Sequence, residues 1–437
     1  MSFKAGVGVQ DISPQKPCFL VGYPHVERIS TGIQDPLLAS ALYLHNGETG
    51  VILVAIDILQ IGPQTARDLR KSISSIASLP ENHIFISCTH THSGPVTMDM
   101  LAWRDDLVVP KPDPDYMSFF RENVIKAVET AIGNTKSAEI AWTTTQSKGV
   151  GGNRISPDGV ADPEVGILAV RDLDKQLIAL STIYSMHPTV LHEDSKLISA
   201  DFPGYTRSYL RKFLGEDLTV LYHTGTAGNQ SPRYSVKAQT FEEAERLGNM
   251  LGEAIKDSIL KIDEYKQDIR LAGKILEVNL PVRTMPSLSE TKELLRKRVT
   301  EYKRLKKEKA DRRLIRTAEC AVFGAEESVT LARAQESGEL EKVIQDYILT
   351  EIQLLRIGDC FLVGLQGEIF VEYGLQIKKF SPHKTFVVSL VNGDLQGYIV
   401  IPEYEKTGGY EASNSLFKAE SGEILVKTAF KLVERYT

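Results

Sequence analysis

The chain has few of the residues that mark disulfide-stabilised or thiolate-bound proteins. Only four of its 437 residues are cysteine, and Cys18, Cys88, Cys320 and Cys360 lie far apart with no Cys-x-x-Cys pair. This spacing argues against a disulfide scaffold and against a zinc site built from thiolates. We therefore interpret the four cysteines as buried thiols.

Long apolar runs and a basic leader are also missing. No stretch approaches the roughly 18 apolar residues of a membrane-spanning helix, and the start Met-Ser-Phe-Lys-Ala-Gly has no basic or apolar region of a secretory signal. A formal net charge of −6 argues against an extended phosphate-binding surface. We expect a cytoplasmic protein with no nucleic-acid partner and no stable membrane insertion, although removal of a signal would leave the same N-terminus. The oligomeric state is not predicted.

Over the first 270 residues, short β-rich apolar runs alternate with helical patterns, which is typical of an α/β domain. Strands are predicted at residues 50–56, 83–88, 139–145, 165–171, 177–186 and 218–223. Helices, where apolar residues recur every three or four positions, are predicted at residues 63–78, 115–133, 203–214 and 241–262. Later in the chain we predict strands at 352–356, 360–365 and 385–391 and a closing helix at 422–436.

Residues 287–341 differ from the rest of the chain in being rich in Lys, Arg, Glu and Ala. They predict two helices, and a basic piece covers residues 303–307. Because charge runs interleaved with glutamate usually lie on solvated faces, a helical hairpin projecting from the body is expected. A partner-facing or membrane-facing surface is the alternative. The fold prediction is thus one large α/β domain over residues 1–437, with mixed sheets flanked by helices and this helical excursion.

Histidine is scarce, with nine residues in all, and two of them lie in the motif Thr-His-Thr-His-Ser-Gly-Pro at residues 89–95. The motif directly follows a predicted strand. Because side chains alternate along a strand, His90 and His92 are predicted to project from the same face. Open α/β sheets place ligands at the carboxyl ends of their strands. A metal-binding pair and a merely structural pair both fit this pattern.

Other candidate side chains also follow predicted strands or lie beside glycines. His187 ends one strand, Ser231 lies in a glycine-rich stretch after another, Glu368 follows a third, and Tyr398 and Tyr410 lie near glycines. Each has an ordinary reading as a structural histidine, a tight turn, a helix-start carboxylate or a loop tyrosine. The chain contains no His-Glu-x-x-His or Gly-x-Ser-x-Gly motif. A metal site would therefore be assembled from distant segments.

Taken together and in order, these segments resemble the neutral and alkaline non-lysosomal ceramidase family. The similarity starts at residues 6–14 and 31–37, and it continues through the histidine motif, Asn153-Arg154, His187-Pro188, residues 228–232, Gly367-Glu368 and the tyrosine pair. The seven-residue histidine motif and the twelve-residue interval between the tyrosines are its most specific parts. The resemblance covers nearly the whole chain.

The resemblance implies a catalytic domain that hydrolyses an amide or ester bond with zinc as its cofactor. The family's zinc ligands correspond to His90, His187, Glu368 and Tyr398. Its other active-site positions correspond to His92, Arg154 and Tyr410, and the serine proposed as its nucleophile corresponds to Ser231. Nitrogen and oxygen ligands of these types suit Zn²⁺. His92 would transfer a proton, and Arg154 and Tyr410 would stabilise the oxyanion. Metal-activated water and Ser231 both stand as nucleophiles.

The resemblance does not extend to the family's C-terminal β-sandwich domain or to a lipid-facing anchor. We therefore expect the substrate to be a soluble or weakly amphiphilic acylated small molecule, an amide or an ester, and not membrane-embedded ceramide. Two other functions stay open. One is a metal-independent serine esterase that pairs Ser231 with His92 or His223, and the other is a non-catalytic binding protein that retains the fold.

Overall fold

A computed structural model describes residues 3–436 as a mixed α/β fold. Its strands are β1 Lys4–Asp11, β2 Gly32–Ile33, β3 Leu38–His45, β4 Gly50–Ile56, β5 Ile84–Cys88, β6 Lys136–Gln146, β7 Gly152–Asn153, β8 Glu164–Asp172, β9 Leu177–Tyr184, β10 Leu197–Ile198, β11 Thr219–Thr224, β12 Gln230–Ser231, β13 Leu271–Asn279, β14 Leu349–Ile357, β15 Cys360–Leu365, β16 Glu368–Ile369, β17 Lys384–Val388 and β18 Tyr398–Ile399. Its helices are α1 Pro63–Ala77, α2 Pro114–Gly133, α3 Phe202–Leu214, α4 Phe241–Ile259, α5 Leu288–Lys307, α6 Arg312–Glu336, α7 Glu339–Ile344, α8 Val371–Phe380, α9 Pro402–Thr407, α10 Tyr410–Ser413 and α11 Glu420–Glu434.

The larger sheet has eight strands in the order β11-β9-β8-β6-β1-β3-β4-β5. Its two end pairs, β11 with β9 and β4 with β5, are parallel, and the pairs between them are antiparallel. Strand β4 is apolar along its whole length because both of its faces are buried. Ile52 and Val54 face the helices, whereas Val51 and Leu53 face the second sheet.

The smaller sheet has four strands in the order β13-β14-β15-β17 and packs face to face on the larger one. Phe85 and Leu168 of the larger sheet join Leu355, Leu362 and Phe386 of the smaller one in the core between them. Helices α1 to α4 cover the outer face of the larger sheet. Helices α8 and α11 cover the outer face of the smaller sheet. The result is a four-layer arrangement of helices, sheet, sheet and helices.

The predicted fold class is confirmed, and every strand and helix predicted from the sequence overlaps an observed element of the same type. Three long strands, β1, β3 and β13, had not been predicted. β3 reads Leu-Ala-Ser-Ala-Leu-Tyr-Leu-His, whose leucines and alanines favour a helix as much as a strand. It is a strand because it pairs with β1 on one side and β4 on the other, and this pairing outweighs local propensity.

The helical excursion is a hairpin of α5 and α6, but only α5 is solvated along its length. Helix α5 buries a single residue, Thr291. Helix α6 buries ten residues between Val322 and Ala334 and packs on α10 and on the turn at residues 101–103. The expectation of a solvated, projecting hairpin was therefore wrong for α6. The charge run that led to it lies in α5, whereas the second half of α6 is rich in small and apolar residues.

Across residues 3–436, none of the helices combines the length and the apolar character that crossing a bilayer requires.

Candidate metal centre and active-site cavity

Side chains from both sheets meet where several strands end. His90 and His92 follow β5, His187 follows β9, and Glu368 begins β16 just after β15. The loop after β17, in the smaller sheet, contacts the end of β11 in the larger one, since the backbone amide of Ser389 donates to the carbonyl of Thr224. Segments that are distant in sequence are thus brought together by the topology, as a site at the carboxyl ends of strands requires.

The closest approach is among two imidazoles and one carboxylate. The Nε2 atoms of His90 and His187 lie 3.1 Å apart. Oε2 of Glu368 lies 2.9 Å from Nε2 of His187 and 3.3 Å from Nε2 of His90. Both histidines are almost fully buried. His92 adds a third ring, so that one nitrogen from each histidine lies within 4.8 Å of the others.

In all three histidines, Nδ1 faces a backbone carbonyl oxygen. The Nδ1 to oxygen distances are 2.8 Å from His90 to Leu59, 2.7 Å from His187 to Ala227 and 3.0 Å from His92 to Gly22. Since a carbonyl oxygen only accepts, each Nδ1 carries a proton, and in the neutral ring Nε2 then presents a lone pair. Burial lowers the pKa of His187 to about 4, so its ring is neutral at neutral pH, as metal binding requires.

This donor set fits a metal cation. In the tautomers just described, the Nε2 atoms of His90 and His187 and the carboxylate of Glu368 are all acceptors, and none can donate to another. Acceptors packed this closely need a cation among them. Two neutral imidazoles with a carboxylate are ligands that Zn²⁺ prefers. His92 is less central, and its Nε2 has no hydrogen-bond partner among residues 3–436.

The backbone of the histidine motif corrects one prediction. Strand β5 ends at Cys88 and does not continue through the motif, and His90 has a φ of +70°, in the left-handed region. The alternation argument for a shared face was therefore wrong. The two rings still approach, with centroids 5.0 Å apart, because the turn at His90 redirects its side chain. Left-handed conformations of non-glycine residues are uncommon and concentrate at functional sites.

Tyr398, Arg154 and Tyr410 lie beside this centre. Strands β16 and β18 are parallel and place Glu368 opposite Tyr398. The guanidinium carbon of Arg154 lies 5.4 Å from the ring centroid of Tyr398. The ring centroids of Tyr398 and Tyr410 lie 5.9 Å apart. Burial, and after it the charge of Glu368, raises the pKa of Tyr398 well above its usual value. The tyrosine is therefore a neutral phenol unless a cation binds it.

Glu411 is the residue of this site that the sequence reasoning missed. Its Oε1 accepts a hydrogen bond of 2.8 Å from Nε of Arg154, and both side chains are buried. It also accepts from the hydroxyl of Tyr404. The one signal in the sequence was its position directly after Tyr410. Glu411 holds the guanidinium in place, because a buried arginine needs a carboxylate partner.

A cavity of about 690 Å³ lies beside the centre, although His90, His187 and Glu368 are not among its lining residues. It is lined by five of the residues singled out from the sequence: His92, Arg154, Ser231, Tyr398 and Tyr410. The volume lies within the range of small-molecule sites. The structure therefore brings the carbonyl-activating, proton-transferring and nucleophilic candidates to one cavity.

Ser231 is almost fully buried in the wall of this cavity. Its hydroxyl accepts a hydrogen bond of 3.2 Å from the backbone amide of Arg233. Across residues 3–436, no histidine lies within hydrogen-bond distance of that hydroxyl. His223 instead faces the core between the sheets, where its Nδ1 lies 2.7 Å from the hydroxyl of Ser87. The serine and histidine pairing of a metal-independent esterase is thus not formed here.

Fold and site together define an α/β protein with a buried centre of histidines and one carboxylate at the edge of two packed sheets. The family model described as "Neutral/alkaline non-lysosomal ceramidase, N-terminal" matches residues 3–220. These residues include the histidine motif, Arg154 and His187. The chain belongs to the neutral and alkaline non-lysosomal ceramidase family.

The relatives that the chain matches are longer proteins. It is 22% identical over 255 residues to the neutral ceramidase of Pseudomonas aeruginosa, a match that covers 54% of this chain and 38% of that protein. It is 23% identical over 231 residues to the neutral ceramidase of Drosophila melanogaster, with 48% of this chain and 32% of that protein covered. The matches thus span about a third of the length of these relatives.

The fold is similar over the whole chain. A crystal structure of the neutral ceramidase from Pseudomonas aeruginosa matches with a TM-score of 0.76 and 16% identity, covering 100% of this chain and 75% of that one. A structure described as "Ceramidase complexed with C2" matches with a TM-score of 0.75 and 15% identity, covering 100% and 76%. At this level of identity the likeness establishes the fold.

Proposed function

We propose that the protein is a zinc-dependent hydrolase that cleaves an acyl bond, an amide or an ester. One observation carries the proposal: two imidazoles protonated on Nδ1 and a carboxylate converge within 3.3 Å of one another beside a substrate-sized cavity. Membership of a family named for ceramidases supports an amide as the bond cleaved.

His90, His187, Glu368 and Tyr398 would hold the zinc. Glu368 contacts the first two, whereas no described contact joins it to His92, which supports a separate role for His92. A bound zinc ion would polarise a carbonyl and lower the pKa of water to about 7. His92 lines the cavity with its unpartnered Nε2, and this atom is suited to accept a proton and return it to the leaving group.

Arg154 and Tyr410 are suited to stabilise the oxyanion that forms at the attacked carbonyl. Glu411 binds Nε of Arg154, and one terminal nitrogen of the guanidinium is buried with no partner among residues 3–436. Such a preorganised donor costs little reorganisation when negative charge develops. The hydroxyl of Ser231 lies in the same cavity, and we retain it beside metal-activated water as a candidate nucleophile.

We infer that the substrate is a soluble or weakly amphiphilic acyl compound. The cavity supports a small-molecule substrate, and a partly apolar wall that includes Ile155, Val236 and Phe323 would accommodate an acyl chain. Ceramide, which the names of the relatives suggest, is the competing substrate. The ratio of kcat/KM for ceramide in mixed micelles to that for a short N-acyl compound distinguishes them. A ratio above about one hundred would establish ceramide.

The test of the proposed function is metal analysis combined with hydrolysis of N-acyl and O-acyl compounds. We expect about one zinc per chain in the metal-replete protein and chelator-sensitive hydrolysis. His187→Ala should lose the zinc and reduce kcat/KM by more than about a hundredfold. The matched control is His45→Gln, since His45 lies on β3 outside the cavity and should leave both properties unchanged.

Two outcomes would overturn this proposal. Protein without bound transition metal that still hydrolyses esters and forms an acyl adduct on Ser231 would establish the serine esterase. Metal-replete protein that hydrolyses no acyl compound would indicate a binding protein that retains the fold.

A further inference from the structure

The lining of the cavity is strongly basic, although the chain carries a net charge of −6. The charged side chains in its lining are basic at seven positions and acidic at two. The basic residues are Arg154, Arg233, Lys237, Arg298, Arg312, Arg313 and Arg316, and the acidic ones are Asp311 and Glu411. Four of the arginines belong to the α5–α6 hairpin, which therefore supplies most of the positive charge of the lining.

Most of these cations lack a carboxylate partner. Arg154 pairs with Glu411, and Arg316 pairs with Glu193 and Glu319. Across the chain from residue 3 to 436, no carboxylate lies within 4 Å of the guanidinium groups at positions 233, 298, 312 and 313. Arg312 and Arg313 are exposed and Arg233 and Arg298 are half-buried. Like charges held around one cavity repel one another, and an anion bound among them would lower the free energy.

The hydrogen bonds that these arginines make with uncharged groups leave some of their N–H donors free. Arg233 donates to the carbonyl of Arg154 at 3.2 Å and lies near the sulfur of Cys320. Arg312 donates to the side chain of Gln239. Each guanidinium has five N–H donors, so several donors of each remain available to a ligand.

The charges of these arginines affect the pKa of a histidine in the cavity wall. Burial lowers the pKa of His192 well below its usual value, and the next causes are the charges of Arg316, Arg233 and Arg312. The ring of His192 lines the same cavity. The neutral ring therefore adds no further positive charge to the wall.

We propose that the substrate carries an oxyanion, a carboxylate or a phosphate, beside its acyl bond, and that Arg233, Arg312 and Arg313 bind this group. This inference rests on the proposed function and specifies its substrate class. Planar guanidinium groups bind carboxylate and phosphate oxygens in pairs. The acyl bond would lie over His92 and Arg154, with the anion directed toward the start of α6. Ceramide has only hydroxyl groups at its polar end and offers these arginines no charge.

The experiment compares three substrates that share one acyl chain: N-lauroylethanolamine, which is neutral, N-lauroylglycine, a carboxylate, and N-lauroylethanolamine phosphate. We expect kcat/KM to be about tenfold to a hundredfold higher for at least one anionic compound than for the neutral one. The two anionic arms show which oxyanion the arginines prefer. In the Arg312→Gln/Arg313→Gln variant, the ratio of anionic to neutral kcat/KM should fall by about tenfold or more.

The control is a variant in which two other arginines of the same hairpin are replaced, so that the change in net charge is the same. Arg296 and Arg304 are exposed on α5 and pair with glutamates of that helix. The Arg296→Gln/Arg304→Gln variant should keep both the activity and the substrate ratio of the wild type. A ratio that falls equally in this variant would assign the preference to overall charge and overturn the anion site.

Binding of inorganic phosphate to the metal-replete protein, measured by calorimetry, provides a readout that does not require turnover. Phosphate should bind at least about fivefold more weakly to the Arg312→Gln/Arg313→Gln variant than to the wild type. Equal hydrolysis of neutral and anionic substrates with equal phosphate binding would overturn this inference and leave the proposed function intact. Phosphate binding that depends on these arginines, in a protein that hydrolyses none of the substrates, would overturn the function and support the anion site.

Discussion

At the scale of single residues, the imidazole of His92 is held by the backbone of Gly22. The carbonyl of Gly22 lies 3.0 Å from Nδ1 of His92. Gly22 has a φ of +115°, and a Cβ at this position would lie 2.5 Å from the same nitrogen. Both the conformation and the space therefore require glycine. Any side chain here would displace the ring that we propose for proton transfer.

Gly22→Ala should lower kcat/KM about tenfold to a hundredfold, because displacing a catalytic group by about 1 Å has effects of that size. Bound zinc should be retained, since His90, His187 and Glu368 are untouched. The measurements are steady-state kinetics and metal content. Gly133→Ala is the control, because a Cβ at the end of α2 meets nothing within 4 Å. Unchanged kinetics in Gly22→Ala would count against a role for His92.

The individual residues of the site were predictable to different degrees. The positions of His90, His187 and Glu368 followed from short motifs after strands together with the family resemblance, and the structure places their side chains in contact. The local reason given for the histidine pair was wrong, since a left-handed turn replaces the strand. Glu411 was not singled out because its partner, Arg154, lies 257 positions away in the sequence. The roles of the site residues as metal ligands or catalytic groups stay proposals.

At the scale of elements, helix α6 carries a carboxylic acid into the interior. Glu327 is fully buried, and its Oε1 accepts a hydrogen bond of 2.8 Å from the indole of Trp103. Its Oε2 has no partner among residues 3–436. Burial raises the pKa of Glu327 from 4.5 to about 8. The group is thus protonated in the folded protein at neutral pH and ionised in the unfolded chain.

This difference predicts a pH dependence of stability. The stabilising effect of holding the proton is full below about pH 4.5 and is lost as the pH rises to about 8, because the unfolded chain releases the proton first. Glu327→Gln removes the titration. Between pH 5 and pH 8 the wild type should therefore lose roughly a few kcal/mol of folding stability relative to the variant, and its melting temperature should fall relative to that of the variant. Thermal unfolding of both proteins at several pH values measures this. Parallel profiles would contradict it.

Helix α6 also shows how composition can mislead about the placement of an element. The alternating charges of residues 287–341 predicted a solvated hairpin, and α5 agrees with that prediction. The start of α6 instead lines the cavity with arginines, and its second half is buried against α10. The composition of residues 287–341 as a whole does not distinguish the two halves of α6. Only the packing separates the solvated part of the hairpin from the part that forms a wall of the site.

At the scale of the whole molecule, the proposed centre joins the two sheets. His90 and His187 follow strands of the larger sheet, and Glu368 follows a strand of the smaller one. A metal bound by all three would link the layers, and a ligand that binds only the folded state stabilises it by mass action.

Removal of the metal should therefore lower the stability of the whole protein. We expect a chelator to lower the melting temperature of the zinc-replete protein by several degrees, and added zinc to restore it. At free zinc about a thousandfold above Kd the linkage amounts to roughly 4 kcal/mol. Differential scanning calorimetry measures the shift. His187→Ala should show no response to zinc, and an equal response in this variant would place the metal elsewhere.

The sequence by itself determined the fold class, the main helices and strands and the family, because buried strands and amphipathic helices leave periodic patterns and the histidine motif is specific. A cytoplasmic location and the absence of a nucleic-acid partner stay predictions. The tertiary structure alone decided that the imidazoles and Glu368 touch, that Glu411 holds Arg154, and that α6 turns its arginines to the cavity. These contacts join residues that are distant along the chain, and no local periodicity or propensity encodes distances of that kind.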